Sequence, residues 1–142
     1  MSMDFLSALR VSGSGLSAER VRVNLASSNL ANAESTRGPD GRPYRRLDPV
    51  MEAVSFDPLQ GAGGPSAMGV KVARVQVDEG PGRRVFSPNH PDADEGGFVT
   101  FPDVNPVHEV VNLMSASRGY EANAAAIDTL KTMAQRALDI AR

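Results

Sequence analysis

The chain has 142 residues, a hydrophobic fraction of 41%, only 5% aromatics and a formal net charge of -2. That allows one ordinary domain with a small core, and it lacks the basic footprint of a generic nucleic-acid binder. The absence of cysteine excludes a disulfide framework, a thiol nucleophile and the cysteine zinc sites.

The start of the chain, Met1-Ser2-Met3-Asp4-Phe5, has no basic n-region, and Arg10, Ser12 and Ser14 interrupt any apolar h-region. No cleavable secretory signal is expected. No apolar run approaches the roughly 20 residues that span a bilayer. The expectation is a cytoplasmic chain, or one that leaves by a route without such a signal.

The spacing predicts a first helix from Met3 to about Ala33. Leu9, Leu16, Val23 and Leu30 recur every seven residues, and Phe5, Val21 and Leu25 broaden the stripe. Gly13 and Gly15 each cost a helix about 1 kcal/mol relative to alanine. The helix is therefore weak alone. It either breaks near Gly13 until a partner holds it, or starts at about Leu16 behind a flexible tail. Asn29 and Asn32 share one face near Leu30. Asparagine competes for backbone groups in mid-helix, so the pair reads as a fraying end or as a fixed polar contact.

The middle changes composition. All 10 prolines lie between Pro39 and Pro106, with most of the 13 glycines. Gly38-Pro39-Asp40-Gly41 is turn chemistry, and Pro43 to Arg46 is extended. Val50 to Phe56 carries a modest strand signal. Gln60 to Ala67 is a glycine-rich loop. Gly69 to Val77 is the best strand, and its phase slips at Ala73-Arg74, which predicts a bulge or bend. Arg84 to Phe86 and Phe98 to Phe101 are two further short strands. A small antiparallel sheet or irregular β cap fits.

Asn105 is a plausible N-cap and Pro106 suits the first helical position, so a second helix runs from there to Arg142. At about 37 residues it is roughly 55 Å long, beyond the ~37 Å diameter of a compact domain of this size. Leu113, Tyr120, Ile127, Ala134 and Ala141 recur every seven residues. Ala116, Asn123, Leu130 and Ala137 fall three residues after the first four. That is an a/d seam with many small residues, and Asn123 is a polar insertion of the kind that fixes register. The alternative is a long helix in an ordinary bundle.

The fold class is mainly α with a small β insert. Residues 1–36 form an N-terminal helix, 37–102 a Gly/Pro-rich β/loop insert, and 103–142 a C-terminal helix. The two end segments make one discontinuous helical domain. Its simplest closure is an antiparallel coiled-coil-like pair with the insert at one end.

Catalytic chemistry is hard to find. His90, Asp92, Asp94 and Glu95 suggest a metal, but Gly96 stands where a calcium loop needs its third ligand, so a solvated acidic turn is the better reading. Gly61 to Ser66 lacks the lysine of a phosphate loop. Gly13-Ser14-Gly15 is no nucleophile elbow. Arg42, Arg45, Arg46, Arg83 and Arg84 lie close to Asp40, Asp48, Asp78 and Glu79 and read as solvated or interface charges.

Two stretches carry a family resemblance. Ser28-Asn29-Leu30-Ala31-Asn32-Ala33, followed by Gly38-Pro39-Asp40-Gly41-Arg42-Pro43-Tyr44-Arg45, resembles the N-terminal signature of the bacterial flagellar rod and hook family. Asn105 to Asn123 resembles its C-terminal signature. The short length and the Gly-Pro-Asp-Gly loop point to the proximal rod. The resemblance implies a structural subunit without enzymatic activity, cofactor or metal. It implies helical assembly with copies of itself and other rod proteins into a drive shaft crossing the periplasm. It also implies export by the flagellar type III apparatus without a cleaved signal, and no small-molecule substrate, nucleic acid or membrane insertion. On that basis the expected assembly interface is Leu9, Leu16, Val23, Asn29, Leu30, Asn32, Leu113, Ala116, Tyr120, Asn123, Ile127, Leu130 and Ala134. The stripe Leu9, Leu16, Val23 and Leu30 would face Leu113, Tyr120, Ile127 and Leu130 within or between subunits, with Asn29, Asn32 and Asn123 fixing register. The alternatives are another rod or hook paralog, and a soluble helical-dimer adaptor.

Overall fold

The computed structural model describes residues 2–56 and 67–140. In chain order the elements are α1 (Ser2–Ala31), β1 (Leu47–Ser55), β2 (Met68–Val77), β3 (Arg83–Phe86), β4 (Phe98–Phe101) and α2 (Pro106–Ile140). The helix–insert–helix order expected from composition is the order found. Most of the Gln60–Ala67 loop lies outside the described residues.

Helix α1 is continuous through Gly13 and Gly15, with 30 residues; the break expected near Gly13 is absent. Packing against α2 offsets the weak propensity of this stretch. The helix tightens at its end, where Ala33 N–H bonds the carbonyl of Leu30 three residues back, at 3.3 Å. Helix α2 starts where the capping chemistry puts it. The Asn105 side-chain oxygen accepts from the N–H groups of Val107 and His108 at 3.0 and 3.4 Å, which satisfies two of the first-turn donors. Its 35 residues span about 52 Å.

The insert is two separate two-stranded antiparallel sheets, β1–β2 and β3–β4, rather than one. Val50 pairs with Arg74 and Met51 with Val72, so Ala73 is the extra residue of a β-bulge. The slipped phase around Ala73 had that cause. Strand β1 begins earlier than expected, at Leu47, because Leu47 is gripped by α1 through Asn29.

The position of the β1–β2 hairpin corrects the expectation of an insert at one end of the helix pair. The hairpin lies alongside α1. Asn29 holds Leu47 at its base, and the Ser14 hydroxyl accepts from Val70 N–H at 3.1 Å. Those two ties stand about 22 Å apart along the helix. The β3–β4 sheet is anchored differently. Asp92, in the link between its strands, accepts from Thr36 Oγ1 and pairs with Arg37, both at 2.7 Å.

The core is thin and made largely of small side chains: Ala18, Ala26, Ala33 and Ala116, with Val99 and Val104. Large apolar side chains are left in solvent. Leu6, Met133, Leu138 and Ile140 are 56–87% exposed. Among the described residues no helix is long and apolar enough to cross a membrane.

Candidate assembly interface

The two ends of the chain meet at one buried polar joint. Asn29 Nδ2 donates to the Leu47 carbonyl at 2.9 Å and to Glu109 Oε2 at 3.1 Å. Its Oδ1 accepts from Leu47 N–H and from the Tyr44 hydroxyl, both at 2.9 Å. Two donors and two acceptor positions are thereby all used. Ser28 Oγ stands 3.3 Å from the same Tyr44 hydroxyl. A buried amide this well satisfied carries no desolvation penalty of an orphan group, and it accepts only one arrangement of its neighbours.

Glu109 is the charged half of the joint and is 1% exposed. Its Oε1 accepts from Arg46 Nε at 2.8 Å and from Asn112 Nδ2 at 3.3 Å. Arg46 Nη1 also reaches Asp48 at 2.6 Å. Partial burial works against the Arg46 charge. The hydrogen bond to Glu109, with the charges of Asp48, Glu109 and Asp78, outweighs it and holds the guanidinium above its ordinary value. A buried pair of this kind adds little net stability over an apolar substitute, but losing either partner strands the other. Its value here is specificity, because α1, the segment before β1 and α2 are bonded at one point.

Glu109 and Arg46 were not among the expected interface residues. Glu109 had a signal: it lies seven residues before Ala116, so it is a charge on the seam itself. Tyr44 and Arg46 had no periodic signal, since a loop residue has no period to read; Tyr44 stood only within the family signature and Arg46 only among charges read as solvated or interface.

Asn32 plays a more local part. Its Nδ2 donates to the Ser28 carbonyl and its Oδ1 accepts from Ser35 Oγ, so it shapes the end of α1. Asn123 Nδ2 likewise donates within its own helix, to the Gly119 carbonyl at 2.8 Å. Its side chain nevertheless rests on α1. A Cβ added to Gly15 would lie 2.7 Å from Asn123 Oδ1, and one added to Gly119 would lie 2.9 Å from Glu19 Cδ. At both glycines a side chain of the other helix occupies the space a Cβ would need.

The expected apolar interface residues divide by exposure. Ala116 is wholly buried, while Tyr120 is exposed. Leu9, Leu16, Val23, Leu30, Leu113, Ile127, Leu130 and Ala134 are half-buried. The residues of α1 that touch α2 include Gly15, Glu19 and Asn29, so the leucine stripe lies to one side of that contact line.

The acidic turn is exposed to solvent, as expected, and is also tied. Asp94 Oδ1 accepts from the N–H groups of Phe98 and Gly96, and its Oδ2 accepts from Arg84. Among the described residues no group of three or more acidic or histidine side chains could hold a metal.

The ends of the chain that build the joint are also the ends that match known proteins. Residues 9–39 match the family described as flagella basal body rod protein, and residues 95–140 match the C-terminal family of flagellar basal body rod FlgEFG proteins. The flagellar basal-body rod protein FlgC of Salmonella typhimurium is 44% identical over 138 residues, covering 97% of this chain and 98% of the relative. This chain belongs to the flagellar basal-body rod protein family. Similarity holds at distance. The FlgC of Borreliella burgdorferi is 38% identical, covering 97% of this chain and 98% of the relative. The FlgC of Bacillus subtilis is 37% identical, covering 95% and 97%. The chain is a structural protein of the rod, not an enzyme.

Proposed function

We propose that this chain is a subunit of the proximal rod, which assembles helically with copies of itself and with other rod proteins and passes motor torque along the shaft by packing. The observation that carries the reading is the similarity over nearly the whole chain to proteins named FlgC.

Within the subunit, α1 and α2 act as an antiparallel coiled-coil-like pair. Three contacts support this: Gly15 with Asn123, Glu19 with Gly119, and Asn29 with Glu109. Their numbers rise along one helix as they fall along the other. Residues 1–36 and 103–142 then form one discontinuous helical domain, and 37–102 an insert strapped to α1. The half-buried stripe Leu9, Leu16, Val23 and Leu30, with Leu113, Tyr120, Ile127, Leu130 and Ala134, completes its burial against neighbouring subunits. Ala116 and Asn123 hold the pair close, while Asn29 and Asn32 set its register. The subunit reaches the periplasm through the flagellar type III export apparatus, without a cleaved signal and without entering a membrane.

Ile127→Asp tests the seam. It places an unpaired charge where burial is required. Rod assembly and motility should be lost while far-UV circular dichroism still reports a helical subunit. Normal motility in that variant would overturn the seam. Hydrogen exchange on the isolated subunit separates the rod from a soluble adaptor: fast exchange across both helices fits a part completed by its neighbours, and strong protection opposes it.

A further inference from the structure

Each of the two sheets has one edge closed by a side chain and one edge left open. In the first sheet Asp78 N–H donates to the Arg46 carbonyl at 2.8 Å. By antiparallel alternation the pairs Leu47/Val77 and Pro49/Val75 then turn their backbone groups outward, away from the partner strand. On the β1 side Asn29 takes both groups of Leu47, and Pro49 has no N–H to offer. On the β2 side Ser14 takes the Val70 N–H near the tip. Nearer the base, nothing among the described residues bonds the outward groups of Val75 and Val77. Both side chains are 43% exposed.

The second sheet repeats the arrangement. Ser87 N–H donates to the Gly97 carbonyl at 2.9 Å, so Arg84 and Phe86 of β3 face outward on one side, and Phe98 and Thr100 of β4 on the other. Asp94 closes β4. Its Oδ1 accepts from Phe98 N–H and its own N–H donates to the Phe98 carbonyl, both at 2.8 Å. The outward groups of Arg84 and Phe86 have no such cap among the described residues, and Phe86 is 64% exposed.

An open strand edge is a template for another strand, and these two edges fit each other. Laid antiparallel with Val77 against Arg84 and Val75 against Phe86, they satisfy one another's outward groups. The same register sets Asp78 against Arg83, Gln76 against Val85 and Arg74 against Ser87, with no like charges opposed. Aromatic–β-branched and opposite-charge pairs each contribute about 0.2–1 kcal/mol. Within one chain the edges do not meet. They belong to separate sheets, and Asp92 ties the second sheet to Thr36 and Arg37.

We propose that the open edge of β2 pairs antiparallel with the open edge of β3 from a second copy of this chain. The proposal rests on the assembly reading and names one contact within it. A β2 edge paired with its own copy also sets Arg74 against Asp78, but it closes as a two-fold pair and leaves β3 open. The β2–β3 contact uses both edges and continues head to tail, as a helical assembly requires.

The cysteine-free sequence makes the register directly testable. Arg74 and Ser87 would face each other as a non-hydrogen-bonded pair with Cα atoms about 4.5 Å apart, within disulfide reach. Full-length Arg74→Cys and Ser87→Cys chains, mixed at high concentration and oxidised, should give a disulfide-linked dimer that neither gives alone. Arg83→Asp in the Ser87→Cys chain should cut that yield about fivefold. Asp78→Arg in the other chain should restore it, which it could not do for a folding defect. A Gln76→Cys chain that dimerises efficiently by itself would overturn the proposal, because β2 would then meet its own copy. So would a chain with both Arg74→Cys and Ser87→Cys that forms only an internal disulfide. Wild-type association in sedimentation velocity with no mixed disulfide would remove this contact and leave the assembly reading standing. Absence of both would remove both.

Discussion

Gly15 of α1 lies so close to Asn123 of α2 that a Cβ on the glycine would fall 2.7 Å from the amide oxygen. Gly13, two residues earlier, has nothing within 4 Å of the same added atom. The two glycines look alike in the sequence and are opposite in what they tolerate. At Gly13 an alanine restores helix propensity with no steric cost. At Gly15 the same gain is set against displacing Asn123 from its bond to the Gly119 carbonyl.

Gly13→Ala should therefore stabilise the subunit by about 1 kcal/mol. Gly15→Ala should gain less than Gly13→Ala or lose stability. Urea unfolding followed by circular dichroism checks both. A Gly15→Ala gain equal to that of Gly13→Ala would show that the helices are not held at this distance.

Asn29→Ala removes an amide making four bonds and leaves Leu47 and Glu109 short of partners. The expected loss is about 3 kcal/mol. Asn29→Asp, nearly the same shape, should be at least as damaging. It has no donor for the Leu47 carbonyl and sets a second carboxylate against Glu109. Denaturation midpoints of the two variants decide between a bonding role and mere space-filling.

Arg46→Met strands the buried Glu109 carboxylate. A cost of about 3 kcal/mol is expected, at the low end for a broken buried pair because the Arg46 side chain keeps 28% exposure. Adding Glu109→Gln should recover much of that loss. A double-mutant cycle measures the coupling, and strict additivity would show that the pair does not act as a unit.

Asp94 gives the pH dependence. The N–H of Phe98 above all, then that of Gly96 and the Arg84 charge, hold its carboxyl below the ordinary 3.8. A depressed folded value means stability that is complete above the unfolded value of 3.8 and lost as pH falls through the lower folded one. The turn from Asp94 to Phe98 should therefore loosen only in strong acid. The Asp94 carboxyl resonance and the Phe98 amide should titrate together in NMR. In Asp94→Asn the Phe98 amide should no longer follow pH in that range.

Much of this architecture was legible because local chemistry set it. Asn105 and Pro106 mark the start of α2 through capping alone, and Ala73 betrays its bulge through a slipped alternation. Phe98 to Phe101 is a strand at the expected bounds. The joint was not legible, because Asn29, Tyr44, Arg46 and Glu109 come from three lengths of chain with no shared period. Asn29 was legible as a fixed polar contact, and Glu109 left a trace as a carboxylate on an otherwise uncharged seam, but nothing in the sequence said that the two meet. The hairpin's seat on α1 was equally hidden, since the bonds of Ser14 to Val70 and of Asn29 to Leu47 are single pairings rather than patterns. The strand alternation could say which residues pair with a sheet, not which helix the sheet would lie along.

The joint also has a place in time. A chain made from its N-terminus presents Asn29 80 residues before Glu109, which is about 4–16 s of synthesis at ordinary rates. Through that interval Asn29 can gather Tyr44 and Leu47, but its fourth bond has no partner. The last bond of Asn29 therefore forms only once the chain has been made through Glu109, so this polar joint is the late-closing part of the fold.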